Sequence, residues 1–236
     1  MSNTDLANNE EVAKYYDNFK HHQKKLGINI RHRTIFSNLK KAGLKTDSRV
    51  LEIGCGIGTV SNLICNYITG GKFTGVDISK ESIEHARMFN GSFSNAEFVV
   101  SDMSDFNRTD KYDFVVFPDV LEHIPVDAHA ALFQTIAKHS TDNTVILINI
   151  PEPYTLDWTR RNHPDRLQII DQSLSMRDMC NNAYPAGFYM YSLTPYGLQY
   201  EHEEYLSIVL KRDWKREKVY RKSKISLSLA NLLSKV

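Results

Sequence analysis

The sequence predicts an α/β fold in which helices cover both faces of a mostly parallel sheet. Apolar runs suited to buried strands alternate with stretches of helical periodicity between about residues 45 and 150. The first run is followed at once by a glycine-rich turn, and the next three end in polar residues. Because parallel strands end at the same edge, these residues are expected along the edge where open α/β sheets bind ligands.

The glycine turn is the most informative stretch of the chain. A short apolar strand at 50–53, which contains the acidic Glu52, leads into Gly54, Gly56 and Gly58, and a helical pattern follows. Glycines allow a tight turn and a close approach to a ligand, while the helix N-terminus offers free N–H groups to an anion. The spacing is G-x-G-x-G, which differs from the G-x-G-x-x-G fingerprint of dinucleotide-binding domains. The arrangement predicts a cradle for a nucleotide-like ligand.

Acidic residues stand at the ends of the next three predicted strands. The runs 73–76, 98–100 and 112–117 lead into Asp77, Asp102 and Asp119 respectively. A carboxylate at the tip of the second parallel strand can accept hydrogen bonds from both ribose hydroxyls of an adenosine. Acids that merely cap helices are the simpler interpretation of any one of these positions.

The glycine turn and the acids, in this order over residues 45–150, resemble the class I S-adenosylmethionine (SAM)-dependent methyltransferases, in particular small-molecule O-methyltransferases. The resemblance implies a Rossmann-like sheet of seven strands with an antiparallel edge hairpin. It implies SAM as cofactor and S-adenosylhomocysteine (SAH) as product. The cofactor-binding positions that it implies in this core are Glu52, Gly54, Cys55, Gly56, Gly58, Asp77, Ile78, Asp102, Met103 and Asp119.

The resemblance also implies individual roles. The three glycines would line the methionine moiety, Asp77 would hold the ribose and Ile78 would pack on the adenine. Asp102 would accept the adenine amino group with Met103 beside the ring, and Asp119 would lie near the methionine amino end.

Residues 1–44 are expected to form a helical lid over the cofactor. One helix is predicted over 9–25 and a second from about Arg31 to near Gly43. In related methyltransferases a Tyr-Tyr-Asp such as the one around Tyr16 often lies in such a lid, and Arg31 could reach the cofactor carboxylate. The alternative is that the tyrosines are core residues and that Arg31 is solvated.

Residues 151–185 are predicted to be an insertion that faces the substrate. They follow a strong fifth strand at 145–150, mix aromatic residues with arginines, and include a short predicted helix over 173–182. Inserted loops at the ligand edge commonly carry specificity, although an ordinary polar connection is the alternative. Two edge strands, 187–193 and 203–210, then complete the core within residues 186–212.

Residues 213–236 are predicted to be a basic C-terminal helix. The stretch 211–224 holds eight basic and two acidic residues, a net charge of +6, and apolar residues follow it. Such a segment can lie on an anionic membrane surface, so peripheral membrane contact through 211–236 is one interpretation. The other is packing on the domain or on the second subunit of a homodimer.

Methyl transfer from a sulfonium is a direct displacement, so the protein must hold the acceptor in line and, for a hydroxyl, remove its proton. His123, shortly after the fourth strand, is the first candidate base. His163 in the insertion is the second and His32 the third. Asp119, Glu122 and His123 resemble an acidic metal-binding group of some quinone O-methyltransferases, but no metal is predicted here.

The composition limits partners and location. Twenty-nine basic and 28 acidic residues give a net charge of +1, which provides no indication of a nucleic-acid partner. Three cysteines without metal-binding spacing, a polar start and the lack of any apolar run of about 20 residues predict a cytoplasmic protein.

The predicted acceptor is a saccharide, a lipid-linked intermediate or a peptide natural product, methylated at oxygen. A catalytically silent SAM-binding regulator and, less favoured because Thr59 replaces the third glycine, a dinucleotide oxidoreductase are the alternatives.

Overall fold

A computed structural model describes residues 27–212 together with Ser223 and Ser226. The predicted helix over 9–25, with Tyr16, lies outside the described residues, and so does nearly all of the predicted helix over 213–236. In the described part, the strands are β1 (Arg49–Ile53), β2 (Lys72–Asp77), β3 (Ala96–Val100), β4 (Tyr112–Pro118), β5 (Ser140–Pro151), β6 (Phe188–Tyr196) and β7 (Tyr205–Arg212). The α-helices there are α1 (Ile30–Lys41), α2 (Thr59–Tyr67), α3 (Lys80–Phe89), α4 (His129–Lys138), α5 (Pro153–Asn162) and α6 (Met176–Ala183).

The strands form one seven-stranded sheet in the order β3-β2-β1-β4-β5-β7-β6. Strands β1 to β5 are parallel, whereas β7 pairs antiparallel with both β5 and β6. The predicted Rossmann-like α/β fold with an antiparallel edge hairpin is thereby confirmed. The strand order reverses direction between β1 and β4, and ligands of open α/β sheets bind at such a switch point.

The sheet separates two apolar clusters, as alternation along each strand requires. On one face, Val50 of β1 and Val116 of β4 pack with residues of α1, α2 and α3 such as Ile35. On the other face, Leu51 of β1 packs with residues of α4 and α6 such as Phe133. Strands β4 and β5 are apolar on both sides and lie in the centre of the sheet, where both faces are covered.

The insertion contains a helix that the sequence analysis did not predict. Helix α5 begins directly after β5, where the side chain of Glu152 accepts a hydrogen bond from the backbone N–H of Thr155 (2.7 Å). Pro153 occupies the first helical turn, where the missing N–H costs nothing. The Pro-Glu-Pro stretch therefore both ends a strand and starts a helix. The short helix predicted over 173–182 is present as α6.

The turn after β1 has no room for a side chain at Gly54. This residue has φ +70°, and a Cβ placed there would lie 2.3 Å from Cγ2 of Val120, in the turn after β4. The contact brings the glycine turn against the β4 turn across the switch point. We infer that glycine is needed here for conformation and for space.

Gly54→Ala is expected to reduce the free energy of unfolding by about 2 kcal/mol, because it adds overpacking to backbone strain. Gly187→Ala is the matched control, since Gly187 also has positive φ (+84°) but its nearest neighbour would lie 3.9 Å from the new Cβ. Urea denaturation of both variants measures the difference. Equal losses would show that the contact with Val120 is unimportant.

Candidate functional site

The glycine turn leaves the N-terminus of α2 facing the switch point. Gly54, Gly56 and Gly58 all have positive φ, and the backbone N–H groups of Gly54 and Cys55 donate to Val76 O (2.8 and 2.9 Å). Gly58 precedes α2 and supplies no side-chain cap. The first N–H groups of α2 therefore remain available for an anion such as a carboxylate.

Asp77, at the tip of β2, is fixed to the glycine turn. Its Oδ2 accepts from the backbone N–H of Gly56 (2.8 Å) and its Oδ1 from that of Ser79 (2.9 Å). A carboxylate has about four lone-pair sites, so its oxygens can accept from hydroxyl groups of a ligand as well as from backbone N–H groups. Ile78 follows it and is half-buried.

Asp102 and Met103 occupy the end of the neighbouring strand β3. Asp102 is exposed, and its Oδ1 accepts from the backbone and hydroxyl of Ser104 (2.9 and 2.6 Å). Met103 has φ +70°, is buried, and donates its N–H to Ser101 Oγ (3.0 Å). The structure thus brings Asp77 and Asp102 to adjacent strand ends, as the sequence analysis expected.

Glu52 lies beneath the glycine turn. It is fully buried, its Oε2 accepts from Ser61 Oγ (2.7 Å), and its Oε1 has no hydrogen-bond partner among the described residues. Burial, helped by the charge of Asp77, raises the pKa of Glu52 to about 8. Burial likewise raises the pKa of the Cys55 thiol, which disfavours the nucleophilic thiolate form.

Asp119, after β4, is held by two donors. Its backbone has φ +57°, and its N–H donates to Asn149 O (3.0 Å). The Asn149 amide donates to Oδ1 of Asp119, and Arg31 Nε lies 3.1 Å from Oδ2. Burial raises the pKa of Asp119 and the charge of Arg31 opposes that shift. Arg31, predicted to reach a cofactor carboxylate, here pairs with a carboxylate of the protein itself.

Two tyrosines extend this arrangement to the edge hairpin. Tyr196 donates its hydroxyl proton to Asn149 Oδ1, and Arg31 Nη1 donates to Tyr205 Oη (3.5 Å). Their rings stack with centroids 5.6 Å apart. The sequence analysis missed Asn149, Tyr196 and Tyr205. The only available signal was Asn149, a single amide within an otherwise apolar strand.

His123 joins the turn after β4 to the insertion. The imidazole is buried, and its Nδ1 donates to Ile170 O while lying 3.2 Å from Oδ1 of Asp171. Its Nε2 faces Oε1 of Glu122 at 3.7 Å. Burial lowers the pKa of His123. Gln172 adds a second connection, since its side chain donates to Ile124 O (2.7 Å). That His123 acts as the base stays a prediction.

The other two candidate histidines lie in different surroundings. His163 follows α5, and its ring centroid is 5.2 Å from that of Trp158. His32 Nδ1 accepts from the backbone N–H of Asn29 (3.2 Å), its Nε2 lies 3.4 Å from Thr59 Oγ1, and burial lowers its pKa to about 4. Within the described chain, no cluster of three or more His, Cys, Asp or Glu residues is arranged to hold a metal ion.

A ligand lying along this edge meets a defined series of groups. In the order of the strands β3, β2, β1 and β4, these are Asp102, Asp77, the glycine turn with the α2 N-terminus, and Asp119. The exposed acceptor Asp102 matches the adenine amino group, and the carboxylate of Asp77 matches the ribose hydroxyls. The α2 N-terminus matches the carboxylate of a methionine moiety, and Asp119 matches its ammonium. The residues present fit SAM.

The stability of the protein is expected to depend on the charge of Glu52. Its folded pKa is raised, so the folded state holds a proton that the unfolded state releases, and stability is lost as pH rises from about 4.5 towards 8. Glu52→Gln removes this contribution, which is at most about 1.4 kcal/mol per pH unit for one proton. Urea denaturation between pH 5 and pH 8.5 should therefore give a flatter profile for the variant. Parallel profiles would contradict the assignment.

Comparisons with known proteins agree with this geometry. Residues 28–193 match the family model described as a methyltransferase domain. Nodulation protein S of Bradyrhizobium diazoefficiens is 29% identical over 110 residues, covering 46% of this chain and 52% of that protein. Malonyl-[acyl-carrier protein] O-methyltransferase 1 of Ilyobacter polytropus is 33% identical over 103 residues, covering 44% and 36%. The matched part thus spans about half or less of the length of these curated relatives.

A solved structure shares the whole fold. Magnesium protoporphyrin IX methyltransferase from Synechocystis PCC 6803, with bound SAH, superposes with a TM-score of 0.66 at 18% identity. The match covers 86% of this chain and 99% of that one. The assignment to a family rests on the methyltransferase-domain model, which covers more than half of the sequence, and does not depend on this low identity. The chain belongs to the methyltransferase-domain family of class I enzymes, whose cofactor is SAM.

Proposed function

We propose that this protein transfers a methyl group from SAM to an oxygen atom of a small molecule or biosynthetic intermediate. The observation that carries the proposal is the edge formed by the glycine turn, Asp77 and Asp102, beside the partly buried carboxylate of Asp119 at the end of β4. Transfer to oxygen is supported by the name of the Ilyobacter relative, an O-methyltransferase.

In this proposal the protein binds and orients, while SAM supplies an activated methyl group. The N-terminus of α2 receives the methionine carboxylate, Asp77 receives the ribose hydroxyls, and Asp102 receives the adenine amino group. Met103 and Ile78 provide apolar contacts to the ring. Asp119 lies on the methionine side, where Arg31 and Asn149 hold its carboxylate in one orientation.

The insertion is proposed to form the acceptor side of the site. His123 and Gln172 fasten its segment 168–172 to the turn after β4, next to the switch point. Trp158 and Tyr154 on α5 are exposed, and His163 is adjacent to Trp158. These side chains suit a polar acceptor that contains a ring or an apolar chain, such as a saccharide, a lipid-linked intermediate or a peptide. A proton from a hydroxyl acceptor would pass to His123 or His163.

The second candidate function is regulation by SAM binding without turnover. It is favoured by one observation, namely that Nδ1 of His123 is occupied by Ile170 and that its Nε2 faces Glu122. Labelled SAM incubated with an extract of the source cells separates the two functions, since only an enzyme transfers the label.

Asp77→Ala is expected to weaken SAM binding by about 1–3 kcal/mol, because it removes charged hydrogen bonds to the ribose and loosens the glycine turn. Asp113→Asn is a suitable control, since Asp113 accepts from the backbone N–H of Arg49 (2.8 Å) at the opposite end of the sheet. Isothermal titration calorimetry with SAM measures both variants. An unchanged affinity in Asp77→Ala would remove Asp77 from the site.

The acceptor class is tested with methyl-labelled SAM, cell extract and phase separation. We expect labelled product, and its phase identifies the acceptor: the organic phase for a lipid-linked acceptor, and the aqueous phase for a saccharide or peptide. Stability of the labelled bond to mild base distinguishes an ether from an ester. Label that appears only on nitrogen would contradict transfer to oxygen.

A further inference from the structure

Among residues 27–212, no lysine or arginine pairs with the buried carboxyl group of Glu122. The residue is 1% exposed, and its Oε2 has no hydrogen-bond partner among the described residues. Its Oε1 lies 3.7 Å from Nε2 of His123, which is longer than a hydrogen bond. A buried carboxyl with an unpartnered oxygen is costly, so its position at a ligand edge calls for a physical explanation.

The surrounding charges leave Glu122 unmatched. Asp119 is already paired with Arg31, at 3.1 Å. The imidazole of His123 directs its Nδ1 proton to Ile170 O beside Asp171, so a neutral ring presents a lone pair towards Glu122. Burial and the charge of Asp119 hold the pKa of Glu122 well above its ordinary range, and Asp171 adds to this effect. A hydrogen bond from the backbone of Glu122 itself and the charge of Arg31 oppose it.

The position of Glu122 relative to the cofactor follows from the topology. The cofactor is proposed to run from β3 to β1 with adenine first and the methionine end last, and β4 is the next strand in the sheet. Glu122 lies in the turn after β4, two residues beyond Val120, which packs against Gly54 of the glycine turn. On this side of the switch point the cofactor carries two cationic groups, the methionine ammonium and the sulfonium. The ammonium is proposed to lie near Asp119, so the sulfonium is the cationic group left for Glu122.

We propose that Glu122 is the counter-charge for the sulfonium of SAM. This inference rests on the proposed use of SAM by this site. SAM carries the sulfonium charge and SAH does not, although both share the same ammonium and carboxylate. Methyl transfer would therefore remove the partner of Glu122 and leave the product bound to an unmatched carboxyl. Glu122 would favour the substrate form of the cofactor and assist release of the product.

The test compares the dissociation constants of SAM and SAH for the full chain by isothermal titration calorimetry, without acceptor. Glu122→Gln should weaken SAM about tenfold or more and change SAH by less than twofold, since only SAM has the charge that interacts with Glu122. Glu204→Gln is the matched control, because Glu204 is also buried with an unpartnered Oε2, while its Oε1 accepts from Leu198 and Gln199. It should leave the ratio of the two constants unchanged.

Equal weakening of SAM and SAH in Glu122→Gln, or no change in either, would overturn the proposal. Should that variant not fold, as judged by circular dichroism, the wild-type protein provides a second measurement. Its preference for SAM over SAH should rise with pH as Glu122 loses its proton. The titratable and charged groups that face Glu122 are Asp119, Asp171, His123 and Arg31. A preference that is flat between pH 5.5 and 8.5 contradicts the idea. A wild-type chain that binds neither compound would instead refute the proposed function.

Discussion

The carboxylate of Asp119 joins the parts of the structure that surround the site. It binds Arg31 of α1 and Asn149 of β5, and these two residues bind the tyrosines of the edge hairpin. A largely desolvated carboxylate must be matched by donors, so each of these elements is held where a donor is required. The left-handed backbone of Asp119 costs about 1 kcal/mol, which the hydrogen bond from its N–H to β5 helps to offset.

Two further carboxyl groups at this edge lack such matching. Glu52 and Glu122 are as deeply buried as the core residues around them, yet each has one oxygen without a partner among the described residues. Burial raises the pKa of both, as it does that of Asp119. The contrast with Asp119 lies in the cation: Arg31 reaches Asp119 and not the other two. Carboxyl groups kept in this condition occur preferentially at functional sites.

The insertion is also held by hydrogen bonds between polar groups, which attach it to the turn after β4. His123 and Gln172 occupy backbone carbonyls that a loop would otherwise leave to water, and Arg160 donates to Asp171 O within the same segment. The segment 168–172 is thus positioned by hydrogen bonds from the strand edge, whereas Leu174 and Met179 farther along the insertion are buried in the core. The exposed rings of Tyr154 and Trp158 remain available to a ligand.

Local patterns in the sequence determined much of the fold and part of the site. The strands, the glycine turn and the acids at the strand ends could be predicted because each depends on a few adjacent residues and on the common edge of parallel strands. Helix α5 was missed because Pro153 and Glu152 signal a break as readily as a helix start. The resemblance to the methyltransferases supplied the cofactor, and the family match confirms it.

The tertiary structure alone decided which charges meet. Arg31 and Asp119 are 88 residues apart in the sequence, and Tyr196 reaches Asn149 only through the register of β7 between β5 and β6. Registers of an antiparallel hairpin depend on pairing across strands, which no local pattern specifies. The same holds for the contact of His123 with Ile170 and for the isolation of Glu122. The sequence determined which groups stand at the edge, and packing determined which of them the protein itself pairs with a cation.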